Sequence, residues 1–130
     1  MFNELQILAW ACLLGIAQLL LAAQFSTKQR GMEWNISARD TKAPELTGIA
    51  DRLDRAFKNF METFVFFGAA VLIVEARQTT SDISLYGSLI YLIARTIYVF
   101  IYAAGIKIVR TVVWFVSLVG LLMVLSQALL

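Results

Sequence analysis

The sequence has no histidine and a single cysteine, Cys12, among its 130 residues. Without histidine there is no imidazole for acid–base catalysis, and the commonest metal ligand in proteins is missing. One cysteine cannot form a disulfide within the chain, and it cannot build a cysteine-based metal centre. We therefore expect neither a metal site nor histidine-dependent chemistry.

Charge and proline are also scarce. Only 15% of the residues are charged, Pro44 is the one proline, and 60% of the residues are hydrophobic. A soluble domain is nearer half apolar and a quarter charged, so this composition is typical of a chain embedded in lipid. The formal net charge of +2 is too small to favour a nucleic-acid partner.

Long apolar runs take up most of the chain. They are Leu5–Phe25, Phe60–Val74, Ile83–Ala104 and Ile108–Leu130. A membrane-spanning helix needs about 20 apolar residues, and the second run reaches that length only by including Arg55, Asn59 and Glu62. The sequence predicts an all-α, integral membrane four-helix bundle that forms one domain over residues 1–130. Its helices are expected at about 5–25, 55–75, 83–104 and 108–130.

The distribution of positive charge predicts the orientation in the membrane. Of the 11 Lys and Arg residues, Arg77 alone lies in the second linker and Arg95 lies within the third span. All the others lie in or beside the first and third linkers. The positive-inside rule then places these two linkers in the cytoplasm and both termini outside.

Polar residues lie at helical spacing near the cytoplasmic ends of three spans. They are Arg55, Asn59 and Glu62; Arg95, Tyr98 and Tyr102; and Arg110 with Thr111. Ionisable groups inside a membrane are costly and often functional. The second span begins, the third ends and the fourth begins at the same face, so we expect these groups to converge. The alternative is structural, with Arg and Glu reaching the interface and Tyr in the aromatic belt.

The chemistry of this cluster favours a small zwitterionic ligand. Guanidinium groups bind carboxylates through paired hydrogen bonds, and the Glu62 carboxylate suits an ammonium group. Glutathione, with two carboxylates, one amine and a thiol, meets these requirements. Other zwitterions meet them as well.

The same residues carry a resemblance to a known family. Residues 55–62 read R-x-x-x-N-x-x-E, residues 95–102 read R-x-x-Y-x-x-x-Y, and Arg110 opens the fourth span. This order and spacing resembles the MAPEG family, the membrane-associated proteins in eicosanoid and glutathione metabolism. The linker over residues 31–48 is similar to bacterial members, which implies a bacterial inner membrane location.

The resemblance implies a homotrimer with glutathione bound between neighbouring subunits near the cytoplasmic face. It implies that Arg55, Asn59 and Glu62 hold the charged ends of glutathione. Arg95, Tyr98 and Tyr102 would contact its backbone. Arg110 would stabilise the thiolate, with a supporting hydrogen bond from Thr111. Asp40 corresponds only loosely to an acidic residue in the first linker of some members.

The implied activity is that of a glutathione-dependent transferase, peroxidase or isomerase acting on lipophilic electrophiles or lipid hydroperoxides. The lipophilic substrate would enter from the bilayer along a groove between the first and fourth spans. Trp114 and Phe115 are candidates for its wall, and simple packing is the alternative for both.

Two other functions remain open from the sequence. One is a non-catalytic, lipid-binding scaffold of the same fold. The other is a small proton-coupled multidrug transporter, which requires a carboxylate in the middle of its first span. Here the first span offers only Gln6 and Gln18, with Glu4 at its end.

Overall fold

Four long helices and one short helix make up the computed structural model, which describes residues 2–130. The helices are α1 (Glu4–Arg30), α2 (Met32–Ile36), α3 (Gly48–Arg77), α4 (Asp82–Ala103) and α5 (Ile108–Leu129). The four long helices, α1, α3, α4 and α5, are long and apolar enough to cross a membrane. The all-helical architecture with four apolar spans agrees with the prediction of a multi-pass membrane protein.

Two of the helices continue further into the long first linker than their apolar runs suggest. α1 ends at Arg30 rather than near residue 25, and α3 begins at Gly48 rather than near residue 55. At the start of α3, Asp51 pairs with Arg55 at 3.0 Å and Asp54 pairs with Lys58 at 2.9 Å. Such i, i+4 pairs support a helix in water. The helix therefore extends beyond the apolar run that the sequence indicates.

Capping residues and turns define the ends of the helices. The Asn3 side chain accepts a hydrogen bond from the Gln6 N–H and caps α1. Ser81 caps α4 in the same way. Gln78, in the left-handed conformation, caps the C-terminal end of α3, and Gly105, at φ 77°, makes the turn between α4 and α5. This short turn holds the last residues of α4 beside the first residues of α5.

α4 and α5 approach each other closely through two glycines. A Cβ atom added at Gly87 would lie 2.7 Å from the Gly120 carbonyl oxygen, and one added at Gly120 would lie 2.6 Å from the Gly87 oxygen. Small residues at helix crossings let backbones meet in this way within membranes. α3 packs against α1, α4 and α5, whereas α1 and α5 make no contact within residues 2–130.

Hydrogen bonds tie the helix ends together at the face opposite the long linker. The Ser84 hydroxyl on α4 donates to the buried Glu4 carboxylate on α1 at 3.0 Å. Arg77 on α3 donates from Nη1 to the Ala128 carbonyl on α5 at 2.7 Å. All four long helices therefore have a polar link at this end of the bundle.

Candidate functional site

Two adjoining cavities lie at the other end of the bundle, where α3 begins, α4 ends and α5 begins. The first has a volume of about 200 Å³ and is lined by Asn59, Tyr98, Tyr102, Arg110, Thr111 and Trp114. The second has a volume of about 380 Å³ and is lined by Arg52, Arg55, Tyr102, Gly105, Ile106, Lys107 and Arg110. Tyr102 and Arg110 belong to both walls, so the two cavities adjoin at these residues.

Arg110 is the cation shared by the two cavities. It lies in the first turn of α5, and its guanidinium carbon is 4.7 Å from the centre of the Tyr102 ring. Among the described residues it has no carboxylate within 4.0 Å. The start of a helix also carries partial positive charge from its free N–H groups. This part of the cavity is therefore suited to an anion.

Two guanidinium groups lie near the ring of Tyr102. Arg55 approaches the ring to 5.6 Å, and Arg110 approaches it to 4.7 Å. Tyr98 packs edge-on against Tyr102, with ring centres 5.6 Å apart. Both tyrosines are buried. The rings fix the positions of the cations that face the cavities, because a cation over an aromatic face is held by the ring quadrupole.

Arg95 is completely buried and lies behind the cavity wall. It donates from Nη2 to the Asn59 side-chain oxygen at 3.0 Å, and its guanidinium lies 4.2 Å from the centre of the Tyr98 ring. Its Nε and Nη1 atoms have no hydrogen-bond partner among the described residues. Arg95 thus supports two residues of the wall and is not itself part of either lining.

Two acidic candidates lie away from the cavities. Glu62 is exposed on the surface of α3, and Asp40 is exposed in the linker. Neither lines either cavity. Ionisable side chains on spanning helices usually face a partner or a water-filled cavity. Among the described residues, Glu62 has no cation within 4.0 Å.

Five cavity residues were not among the predicted site residues: Arg52, Gly105, Ile106, Lys107 and Trp114. Trp114 appeared only as a candidate for the wall of the substrate groove, and it lies one turn after Arg110 in the wall of the first cavity. Arg52 and Lys107 appeared only in the charge distribution, and they line the second cavity. The Arg52 Nε donates to the Ala103 carbonyl at 2.9 Å at the end of α4. Its i, i+3 spacing from Arg55 is the signal that could have identified it.

The expected lipid-facing groove between the first and fourth spans does not form within one chain. These spans, α1 and α5, are not in contact, and Phe115 is exposed on α5. The apolar pockets on α1 instead lie against other helices. One, of about 250 Å³, is lined from α4 by Leu92 and Thr96, and another, of about 260 Å³, is lined from α3 by Phe57, Phe60, Met61 and Phe64. A groove between α1 and α5 requires a second chain.

Comparison with known proteins gives one family match. The model of the family described as the MAPEG family matches residues 7–130, which is nearly the whole chain. No curated protein matches the chain.

Proposed function

The chain belongs to the MAPEG family, and on that premise we propose that it is a membrane enzyme that uses glutathione. The reaction is the transfer of glutathione to a lipophilic electrophile, the reduction of a lipid hydroperoxide, or a glutathione-dependent isomerisation. One observation carries the proposal: polar side chains from α3, α4 and α5 line a single cavity around Arg110, a cation without an ion-pair partner among the described residues. The spacing of these side chains in the sequence had predicted their convergence.

The charges around the cavities complement those of glutathione. Arg52, Arg55 and Lys107 line the wider cavity and suit the two carboxylates of the tripeptide. The Asn59 amide and the two tyrosine hydroxyls add donors and acceptors for its peptide groups. The ammonium group of glutathione requires an acid, and Glu62, one turn beyond Asn59 on α3, is the residue we assign to it.

Arg110 is assigned to activation of the thiol. A free thiol has a pKa near 8.5, and a neighbouring guanidinium lowers that pKa and so raises the thiolate population at neutral pH. The start of α5 acts in the same direction. We assign the Thr111 hydroxyl, in the wall of the same cavity, to donate a hydrogen bond to the same sulfur. In conjugation the thiolate forms a sulfur–carbon bond with the electrophile, and the leaving group departs with the bonding electrons.

We further propose that the active form is a homotrimer in a bacterial inner membrane, with the site facing the cytoplasm and both termini outside. The exposed Glu62 and the separation of α1 from α5 support this assembly. A neighbouring subunit would cover Glu62. It would also complete a groove for the lipophilic substrate between α1 of one chain and α5 of the other. The excess of Lys and Arg beside the long linker supports the orientation.

Replacing Arg110 with alanine tests the proposal. In R110A the thiolate loses its stabilising cation, so the thiol pKa should return toward about 8.5. If Arg110 lowers that pKa by one to three units, the thiolate fraction at pH 6.5 is about 10 to 100 times larger in the wild type than in R110A. Conjugation of a chloronitrobenzene at pH 6.5 should therefore fall by about this factor. The rate should recover as the pH rises toward 9, because the uncatalysed ionisation of the thiol then supplies the nucleophile. Absorbance of the conjugate measures the rate.

Lys28→Ala is the matched control, because it removes one exposed cation from the same face of the bundle and lines neither cavity. It should keep the wild-type rate and pH profile. Isothermal titration with glutathione should show binding for the wild type and for R110A. An R110A enzyme with full activity would remove Arg110 from the mechanism. A wild-type protein that binds no glutathione would instead support the non-catalytic lipid-binding scaffold.

A further inference from the structure

A separate pocket lies on the other side of α3, under the long linker and between α1 and α3. Its volume is about 290 Å³, and no residue of the two cavities described above lines it. Its walls include Leu19, Ala22 and Phe57 and also Arg30, Trp34 and Arg39. The proposed glutathione chemistry makes no use of this pocket.

Two arginines give the pocket an uncompensated positive charge. The guanidinium carbons of Arg30 and Arg39 lie 5.3 Å and 5.2 Å from the centre of the Trp34 ring. Neither has a carboxylate within 4.0 Å in the described part of the chain, and Asp54, the acid in the pocket wall, is paired with Lys58 at 2.9 Å. Both arginines are therefore available to an anion from outside the chain.

Hydrogen bonds hold the two guanidinium groups in place and leave some of their N–H donors free. Arg30 donates from Nε to the Pro44 carbonyl at 2.8 Å, and Arg39 donates from Nη2 to the Asn35 side-chain oxygen at 2.7 Å. The Nη groups of Arg30 and the Nη1 group of Arg39 make no hydrogen bond within residues 2–130. Guanidinium groups fixed with free N–H groups are well suited to phosphate oxygens.

The floor of the pocket is apolar and leads toward the membrane. Leu19, Ala22 and Ala23 lie on the apolar part of α1, and Phe57 faces them from α3. Trp34 lies at the polar rim, the position that tryptophan favours at a membrane interface. Its Nε1 is buried without an acceptor in the described residues. A charged rim above an apolar floor matches a molecule with a phosphate at one end and a hydrocarbon chain at the other.

We propose that this pocket binds an anionic phospholipid of the cytoplasmic leaflet, with its phosphate near Arg30 and Arg39 and one acyl chain along the apolar floor. Basic pockets between spanning helices on this side of a membrane are suited to anionic headgroups. This site is separate from the proposed glutathione site and does not depend on it. The bound lipid would fasten the long linker to the bundle, because Arg30 ends α1 and Arg39 belongs to the linker.

Lipid retention measured by native mass spectrometry tests the proposal. The full-length protein is extracted from vesicles of phosphatidylcholine containing phosphatidylglycerol, and the phosphatidylglycerol that stays bound is counted. Arg30→Gln or Arg39→Gln should weaken retention about fivefold each, and the double variant about 30-fold, since one cation near an anionic surface contributes about 1 kcal/mol. Lys42→Gln, which removes an exposed cation of the same linker outside the pocket, is the matched control and should leave retention unchanged.

The double variant with lysine at both positions separates charge from folding. It keeps both cations and should retain phosphatidylglycerol at least tenfold better than the double glutamine variant. Equal retention by wild type, K42Q and the double glutamine variant would overturn the proposal. Displacement of the lipid by millimolar glycerol phosphate would also overturn it, because a soluble phosphate source would then suffice. Loss of all lipid on assembly of several chains would assign the pocket to a neighbouring subunit instead.

Discussion

The contact between Gly87 and Gly120 should make the bundle intolerant of a single added methyl group. In Gly87→Ala the new Cβ would lie 2.7 Å from the Gly120 carbonyl oxygen and 2.7 Å from the Met123 Cβ. Favourable separations between carbon atoms are about 3.5–4.0 Å. Two helix backbones, and not one flexible side chain, would therefore have to move by about 1 Å.

The expected cost follows from comparison with a third helical glycine. Overpacking of this kind costs about 1–3 kcal/mol. A Cβ added at Gly68 meets only the Leu8 Cδ1 at 3.7 Å, which is an ordinary contact, and alanine is the better helix former by up to about 1 kcal/mol. Gly87→Ala should lower the free energy of unfolding by about 1–3 kcal/mol, while Gly68→Ala should leave it unchanged or raise it.

Equilibrium unfolding in mixed micelles with increasing dodecyl sulfate, followed by tryptophan fluorescence, measures this difference. The Gly87→Ala midpoint should fall below that of the wild type, and Gly68→Ala should not. Glutathione affinity should fall in Gly87→Ala as well, because α4 and α5 together line the first cavity. If the two alanine variants unfolded at the same midpoint, the close approach of α4 and α5 would be refuted.

Two further predictions concern buried polar contacts of α4. The Tyr91 hydroxyl lies 2.9 Å from the Thr63 oxygen, so Thr63→Val leaves it without a partner and should lower the free energy of unfolding by about 1–3 kcal/mol. Adding Tyr91→Phe should recover most of that loss. Additive losses in the same unfolding assay would contradict this. Arg95→Lys should raise the KM for glutathione through Asn59 and Tyr98 without changing the pH profile of the rate. A profile shifted like that expected for R110A would instead give Arg95 a part in thiol activation.

The convergence of Asn59, Tyr98 and Tyr102 could be predicted from the sequence, because it depends on helical spacing and on the alternating direction of the spans. Asn59 follows Arg55 by four residues on the second span, and Tyr102 follows Tyr98 by four residues on the third. Such spacings place side chains on one face of a helix. The alternating direction of the spans then brings the ends that carry these faces to the same membrane surface. The structure has Asn59, Tyr98 and Tyr102 in one cavity wall.

The spacing could not predict which of these side chains line a cavity, which are buried behind its wall and which stay exposed. Arg95 has the same periodicity as Tyr98, yet its long side chain turns into the bundle toward Asn59 and is completely buried. Glu62 shares the face of Asn59 but remains exposed in the single chain. Burial depends on which neighbour covers each face, and that information lies in packing and assembly, not in spacing.

The linker was also beyond prediction from hydropathy. The short helix α2 lies in a polar stretch where the apolar pattern carries no signal. Its position depends on local contacts such as the hydrogen bond that the Asn35 amide donates to the Thr27 hydroxyl at 3.2 Å. Hydropathy reflects transfer into lipid, so it locates the spans and carries little information about residues that stay in water.

Hydrogen bonds join all four long helices at the end of the bundle opposite the long linker. Glu4 with Ser84 and Arg77 with Ala128 join the helices there, and the Ser81 hydroxyl adds a bond to the Gln127 side chain at 3.0 Å. At the opposite end α3 and α4 are joined by the bonds from Arg52 to Ala103 and from Arg95 to Asn59, and the two polar cavities lie beside these bonds. If glutathione binds in the cavities as proposed, it enters and leaves at that end of the bundle.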